Sequence, residues 1–303
     1  MEHLRQLRSA VPDESAIAAL RKGLRDRANL VVAEAARTIA ALRLPALIPD
    51  LLASFGVLFD DVLKTDPKCW GKMAIVQALT AMDYDQSPPF VRGLSHIQME
   101  PVWGGKEDSA AQLRAHCALA LVQCSDIRRV EILRLLVAAM TDPEDPVRAE
   151  AVRAIAQLGG DDGALLLRLK AGIGDARPLV LGQVFDSLIA LESEIGVRFV
   201  GDYLSSSSAE VRDEAALSLG ASRRADAVSL LTETWHKTAS GEFGGVVLRA
   251  LSSSRHPAAI DFLLDLVRKG SGRECAAALA ALESVECSDE IRSQIETAKR
   301  QRG

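Results

Sequence analysis

The segment Val147-Arg148-Ala149-Glu150-Ala151-Val152-Arg153-Ala154-Ile155-Ala156-Gln157-Leu158 recurs in outline along the chain, and this self-similarity constrains the fold more than any other feature. Close copies run from Val31 to Leu42 and from Val211 to Leu219. In each, a Glu-Ala pair follows the leading Val by three residues (Glu34-Ala35, Glu150-Ala151, Glu214-Ala215), and an apolar residue follows at Ile39, Ile155 or Leu219. That spacing sets the apolar residues on one helix face. Weaker copies align on the small-then-large pair Ala154-Ile155, at Ala78-Leu79, Ala120-Leu121, Ser187-Leu188, Ala250-Leu251 and Ala278-Leu279. About eight copies with a period of roughly 30 to 42 residues predict an all-α protein, an α-α superhelix of about eight helix hairpins forming one solenoid over residues 1–303.

Second amphipathic helices are expected between the copies, at Ile127 to Met140, Gly163 to Ile173, Glu194 to Leu204, Ala225 to Lys237 and Pro257 to Lys269. The breaks carry turn chemistry: Asp142-Pro143-Glu144-Asp145-Pro146, Gly159-Gly160-Asp161-Asp162-Gly163, Gly174-Asp175 and Ser205-Ser206-Ser207-Ser208. An Asp or Ser there accepts the free amides of the next helix start. One hairpin buries only part of its apolar surface, so stability has to come from stacking each pair on the next. Small residues at Ala35, Ala151, Ala215, Cys117 and Cys275 suit close packing between layers.

Composition agrees. Aromatics make up only 4% of the chain, and Ala and Leu dominate, which favours helix over sheet. A net charge of −5 gives no general attraction for phosphate backbones or anionic lipid, so a nucleic-acid partner is disfavoured. The opening Met1-Glu2-His3-Leu4-Arg5-Gln6-Leu7-Arg8 carries charges where a signal peptide needs an apolar run, and no membrane span is expected. Five cysteines (Cys69, Cys117, Cys124, Cys275, Cys287) form no C-x-x-C pair and leave an odd count. A reducing, cytoplasmic location follows as an expectation.

The residues Asp142-Pro143, Val147-Arg148, Ala151, Ala154-Ile155 and Leu158-Gly159-Gly160 resemble the HEAT-repeat superfamily, especially the short HEAT-like repeat of phycobilisome lyases. Glu210-Val211-Arg212-Asp213-Glu214-Ala215-Ala216 repeats the middle of that pattern, and Leu44-Pro45-Ala46-Leu47-Ile48-Pro49-Asp50-Leu51-Leu52 looks like the first helix of a longer unit with an internal proline. The resemblance implies that the acidic turn residue pairs with the motif Arg of a stacked repeat, giving Arg148 and Arg212 structural roles. It implies a fold and no particular activity.

The pattern breaks between Tyr84 and Gln112. A short helix is expected from Phe90 to Leu94, then a long irregular insertion holding His96, Gln98, Glu100, Trp103, Lys106, Glu107 and Asp108. Long insertions of this kind are often binding elements, and aromatics concentrate at binding hot spots. The competing reading is an elongated loop whose Trp covers a core edge. A metal site is disfavoured because Pro101 follows Glu100 and no second His is close in sequence. Gly159 to Gly163 lacks the Lys of a phosphate loop, and Ser205 to Ser208 has no partner base, so no catalytic, cofactor-binding or metal-ligating residue is assigned.

The leading expectation is a non-enzymatic scaffold for a protein or peptide partner, using His96, Gln98, Glu100, Trp103, His116, Arg148, Glu150 and Arg153. Alternatives carried by the resemblance alone are a bilin-lyase-like subunit and a protein similar to the HEAT-like alkylpurine DNA glycosylases. For the latter, Arg148, Arg153, Arg212, Arg223 and Arg224 are the candidate contacts, opposed by Glu150, Asp213 and Glu214.

Overall fold

The computed structural model describes residues 2–7, 13–238, 241–284 and 289–302; Met1, Arg8 and Cys287 lie outside the described residues. The chain divides into two compact units, Met1–Leu158 and Gly159–Gly303.

The first unit contains α1 (Glu2–Gln6), α2 (Glu14–Leu24), α3 (Asn29–Ala41), α4 (Ile48–Val57), a short α5 (Val62–Thr65), α6 (Trp70–Ala81), α7 (Pro88–Leu94), α8 (Ala111–Ala120), α9 (Arg129–Ala139) and α10 (Asp145–Leu158). The pairs α2/α3, α4/α6, α7/α8 and α9/α10 are the hairpins, and their second helices form a row in which α3 packs on α6, α6 on α8 and α8 on α10. The repeat residues point into that row. Ala35, Ile39, Leu79, Cys117, Leu121, Ala151 and Ile155 are all buried, and each large apolar side chain so buried contributes about 2 kcal/mol.

The second unit contains α11 (Gly160–Ile173), α12 (Pro178–Glu192), α13 (Glu194–Asp202), α14 (Ala209–Ala221), α15 (Ala225–Thr238), α16 (Glu242–Ser254), α17 (Pro257–Lys269), α18 (Gly272–Glu283) and α19 (Asp289–Arg302). The hairpins are α11/α12, α13/α14, α15/α16 and α17/α18, with α12, α14, α16 and α18 packed in sequence and α19 against α17. The described residues thus hold eight hairpins, and the fold is an α-α superhelix of helical repeats. Cys275, expected to be buried, is half-buried on α18.

Turn chemistry explains where the second helices begin. The side chains of Asp26, Asp108, Asp142 and Asp175 each accept the backbone N–H two residues on, at Ala28, Ala110, Glu144 and Arg177, over 2.9–3.0 Å. Such Asx turns fix the chain direction before a helix starts. Ser208 caps α14 by accepting from the Val211 N–H.

Three expectations change. The Gly159 to Gly163 linker shrinks, because α11 already begins at Gly160; Asp161 and Asp162 stand in its first turn, where negative charge suits the helix dipole. Pro49 is not internal: it occupies the first turn of α4, where its missing N–H costs nothing. The insertion after α7 is not irregular either. It folds as an antiparallel β-hairpin, β1 (Met99–Val102) with β2 (Gly105–Asp108), in the register Met99↔Asp108, Glu100↔Glu107, Pro101↔Lys106 and Val102↔Gly105.

Candidate docking hairpin and its buried anchor

The hairpin turns over two residues, Trp103 and Gly104. Gly104 has φ +89°, a conformation that side-chain-bearing residues adopt only with strain, and this places Trp103 at the tip with its side chain fully exposed. Val102 beside it is also exposed, as are Ile97 and Met99 toward the base end of the hairpin.

The base of the hairpin is the opposite environment. Gln98 is 1% exposed and its amide is fully committed. Its Nε2 donates to the Asp66 carbonyl (2.8 Å) and to Glu100 Oε1 (2.7 Å). Its Oε1 accepts from the Cys69 thiol (3.1 Å) and faces His96 Nε2 at 3.0 Å, so that ring nitrogen carries the proton. Glu100 Oε1 also accepts the Ser109 hydroxyl and the Lys68 N–H, both at 2.5 Å. Burial opposes the Glu100 charge, yet these donors outweigh it and hold the carboxyl below its usual range. Burial pushes the Cys69 thiol up to about 11, so it stays protonated and serves as a donor.

Arg114, on α8 and 2% exposed, locks this base to the next repeat. It donates to Asp142 through Nε (2.8 Å) and Nη2 (2.9 Å), a bidentate pair. Its Nη1 donates to Asp108 Oδ2 (2.6 Å) and to the His96 carbonyl (2.9 Å). The Asp142 carbonyl in turn accepts from Arg148 Nη1 (2.8 Å). Below lies a second buried pair: Asp66 accepts from Asn29, from the N–H groups of Gly71 and Lys72, and from Lys72 Nζ at 3.2 Å. The same spacing of an acid and a base six residues later thus recurs at Asp66/Lys72, Asp108/Arg114 and Asp142/Arg148. The acid-to-stacked-repeat pairing implied by the resemblance is seen at Arg114–Asp142.

The sequence-derived residues therefore separate. His96, Gln98 and Glu100 come together in the anchor, with Gln98 sealed inside, and Trp103 stands alone at the tip. His116 is half-buried on α8, its Nδ1 3.0 Å from the Gln112 carbonyl and its Nε2 3.4 Å from Gln77. Arg148 is buried, bonded to the carbonyls of Asp142 and Pro143; Arg212 does the same with Ser206 and Ser207. Arg153 donates to Glu150 at 3.1 Å, and Arg224 is bound to Asp226. Four of the five arginines suited to phosphate contact thus have contacts within the chain. Sequence reasoning missed Asp66, Lys72 and Arg114; the six-residue spacing was the signal that finds them.

His96 makes the anchor pH-sensitive. Burial, with Lys72 and Arg114 nearby, lowers its pKa from 6.5, so the folded state holds the ring neutral while the unfolded chain protonates it more readily. Its contribution to stability is present above about pH 6.5 and lost as pH falls through the depressed native value. Acid titration of the melting temperature should show this loss in the wild type and a flatter profile for His96→Gln between pH 6.5 and the onset of carboxylate protonation. Identical profiles would assign the loss elsewhere.

Among the described residues no group of three or more His, Cys, Asp or Glu side chains is placed to hold a metal ion, and no helix is long and apolar enough to cross a membrane. No curated protein matches the chain. Similar solved structures include human deoxyhypusine hydroxylase in complex with glycerol, 20% identical over 94% of this chain and 90% of that one with a TM-score of 0.30. Two engineered proteins are 19% identical: one covers 98% of this chain and 86% of its own (TM-score 0.39), the other 92% and 97% (TM-score 0.25). The family model for HEAT repeats matches residues 197–283, from within α13 to the end of α18, and supports HEAT repeats over that stretch.

Proposed function

We propose that the chain is a non-enzymatic helical-repeat scaffold that captures a protein or peptide partner with the tip of its hairpin. The supporting observation is the pairing of a fully exposed Trp103 with an anchor of buried, charge-assisted hydrogen bonds at the other end of the same element. An aromatic side chain presented on a rigid arm brings a large apolar area to a partner, and little ordering entropy remains to be lost on binding. A loop whose Trp covered a core edge would have its indole buried.

The test places a photo-crosslinking residue at Val102, which adjoins the turn and is exposed, and at Leu165 on α11 as a control, and captures partners from native lysate. A discrete adduct from position 102 alone is expected. With that partner purified, Trp103→Ala should weaken binding at least tenfold, about 1.4 kcal/mol, and leave the helical circular-dichroism signal intact. Binding unchanged by Trp103→Ala would remove the hairpin from the proposal.

A further inference from the structure

Glu34, Glu150 and Glu214 occupy the same repeat position, and in the first two the residue three further on is an arginine. Arg37 lies 3.8 Å from Glu34, which Arg5 also approaches at 3.6 Å; Arg153 lies 3.1 Å from Glu150. In the third copy that residue is Leu217, and it is exposed. On the neighbouring helix α12, the residue that aligns with Arg153 is Asp186. Glu214 has consequently lost its internal guanidinium: among the described residues its carboxylate has no hydrogen bond and no ion pair. The charges it senses are Asp186 and Asp213, and burial together with these two pushes its pKa up. Arg212 and Arg249 act on Asp213 instead.

This carboxylate opens into a groove between α12 and α14, both within the second unit. One part, about 280 Å³, is lined by Leu179, Gly182, Gln183, Asp186, Glu214 and Leu217, among others. The second, about 490 Å³, continues along Ala190, Ser193, Ser222 and Arg224, whose guanidinium is held by Asp226, and Asp186, Ser218 and Ala221 line both. The wall is small enough to admit a backbone. Gly182 leaves room for the Glu214 carboxylate, whose Oε2 lies 2.3 Å from where a Cβ at residue 182 would stand. Exposed Leu179 and Leu217 supply apolar contact beside the acid.

We infer that this groove is a docking site for an arginine-bearing peptide segment of a partner protein, the incoming guanidinium taking the place beside Glu214 that Arg37 and Arg153 fill in the sibling repeats. A guanidinium suits the site better than an ammonium, since it pairs bidentately with a carboxylate and its flat, weakly hydrated face packs on leucine. The site lies in a different unit from the hairpin and stands independently of the proposal above.

The probe is the fluorescein-labelled peptide Ala-Leu-Arg-Leu-Ala, capped at both ends, titrated with the full chain and read by anisotropy; its control replaces arginine with citrulline, of nearly the same shape and uncharged. Saturable binding of the arginine peptide is expected, at least tenfold tighter than the citrulline peptide. Glu214→Gln should weaken it at least tenfold, and Leu217→Arg, which restores the sibling pairing, should do the same. Glu210→Gln, on the same helix outside the groove, and Trp103→Ala should leave it unchanged. Equal affinity for both peptides, no saturable binding, or indifference to Glu214→Gln overturns the inference, as does self-association of the chain that Glu214→Gln abolishes.

Discussion

Replacing Arg114 with methionine is expected to destabilise the first unit by about 3–5 kcal/mol, the usual cost of removing one partner from a buried ion pair. The size follows from what remains. Asp108 and Asp142 both point at the guanidinium from sites where their side chains are 6% and 13% exposed, and the His96 carbonyl loses its donor as well. A methionine of similar length fills the volume and satisfies none of the three. Arg114→Lys keeps the charge but cannot reproduce the fork that grips Asp142 through two nitrogens, so an intermediate loss is expected. Urea unfolding followed by Trp fluorescence reads both variants; a loss below about 1 kcal/mol for the methionine variant, the range of exposed pairs, would mean the network is not the anchor described.

Gly220→Ala is the second large effect, expected in the other unit and for a different reason. Alanine is favoured over glycine within a helix by about 1 kcal/mol, so on propensity alone the change would stabilise α14. Here an added Cβ would stand 2.3 Å from the Ala250 carbonyl oxygen on α16. Backbone does not move aside as a side-chain tip does, and α16 would have to shift. Forced insertion costs up to about 3 kcal/mol, leaving a net loss of about 2 kcal/mol. Gly172, on α11, has no atom within 4 Å of its would-be Cβ, so Gly172→Ala should instead gain up to about 1 kcal/mol. The two variants measured side by side by thermal unfolding separate packing from propensity, and a gain for both would refute the close α14–α16 crossing.

The helices were legible because burial and periodicity agree. Pro257 to Lys269 matches α17 at both ends, and the small-then-large pairs fall in the second helix of each hairpin. The hairpin insert was not, because Met-Glu-Pro-Val and Gly-Lys-Glu-Asp hold one β-branched residue between them and a proline, which argues against a strand. Their pairing is fixed from outside, by Asp108 on Arg114 and by Glu100 on the Lys68 amide, the latter a contact across 32 positions that no local pattern encodes. Trp103 was singled out by residue type and insertion length, and it stands exposed at the turn. Gln98 and Arg148 were drawn toward the partner by their polarity, whereas hydrogen bonding draws both inward. The Glu214 groove is visible only when the copies are compared for what one of them lacks.

The loop beneath the hairpin adds a consequence of its own. Lys68 and Cys69 are consecutive non-glycine residues with φ of 60° and 54°, each costing about 1–2 kcal/mol relative to ordinary backbone. Glu100 grips the amide of the first, and Gln98 grips the thiol of the second. The insertion therefore acts as a splint: strand and loop hold their shapes only while clasped together. The rate at which a thiol reagent reaches Cys69 becomes a clock for how often that clasp springs open.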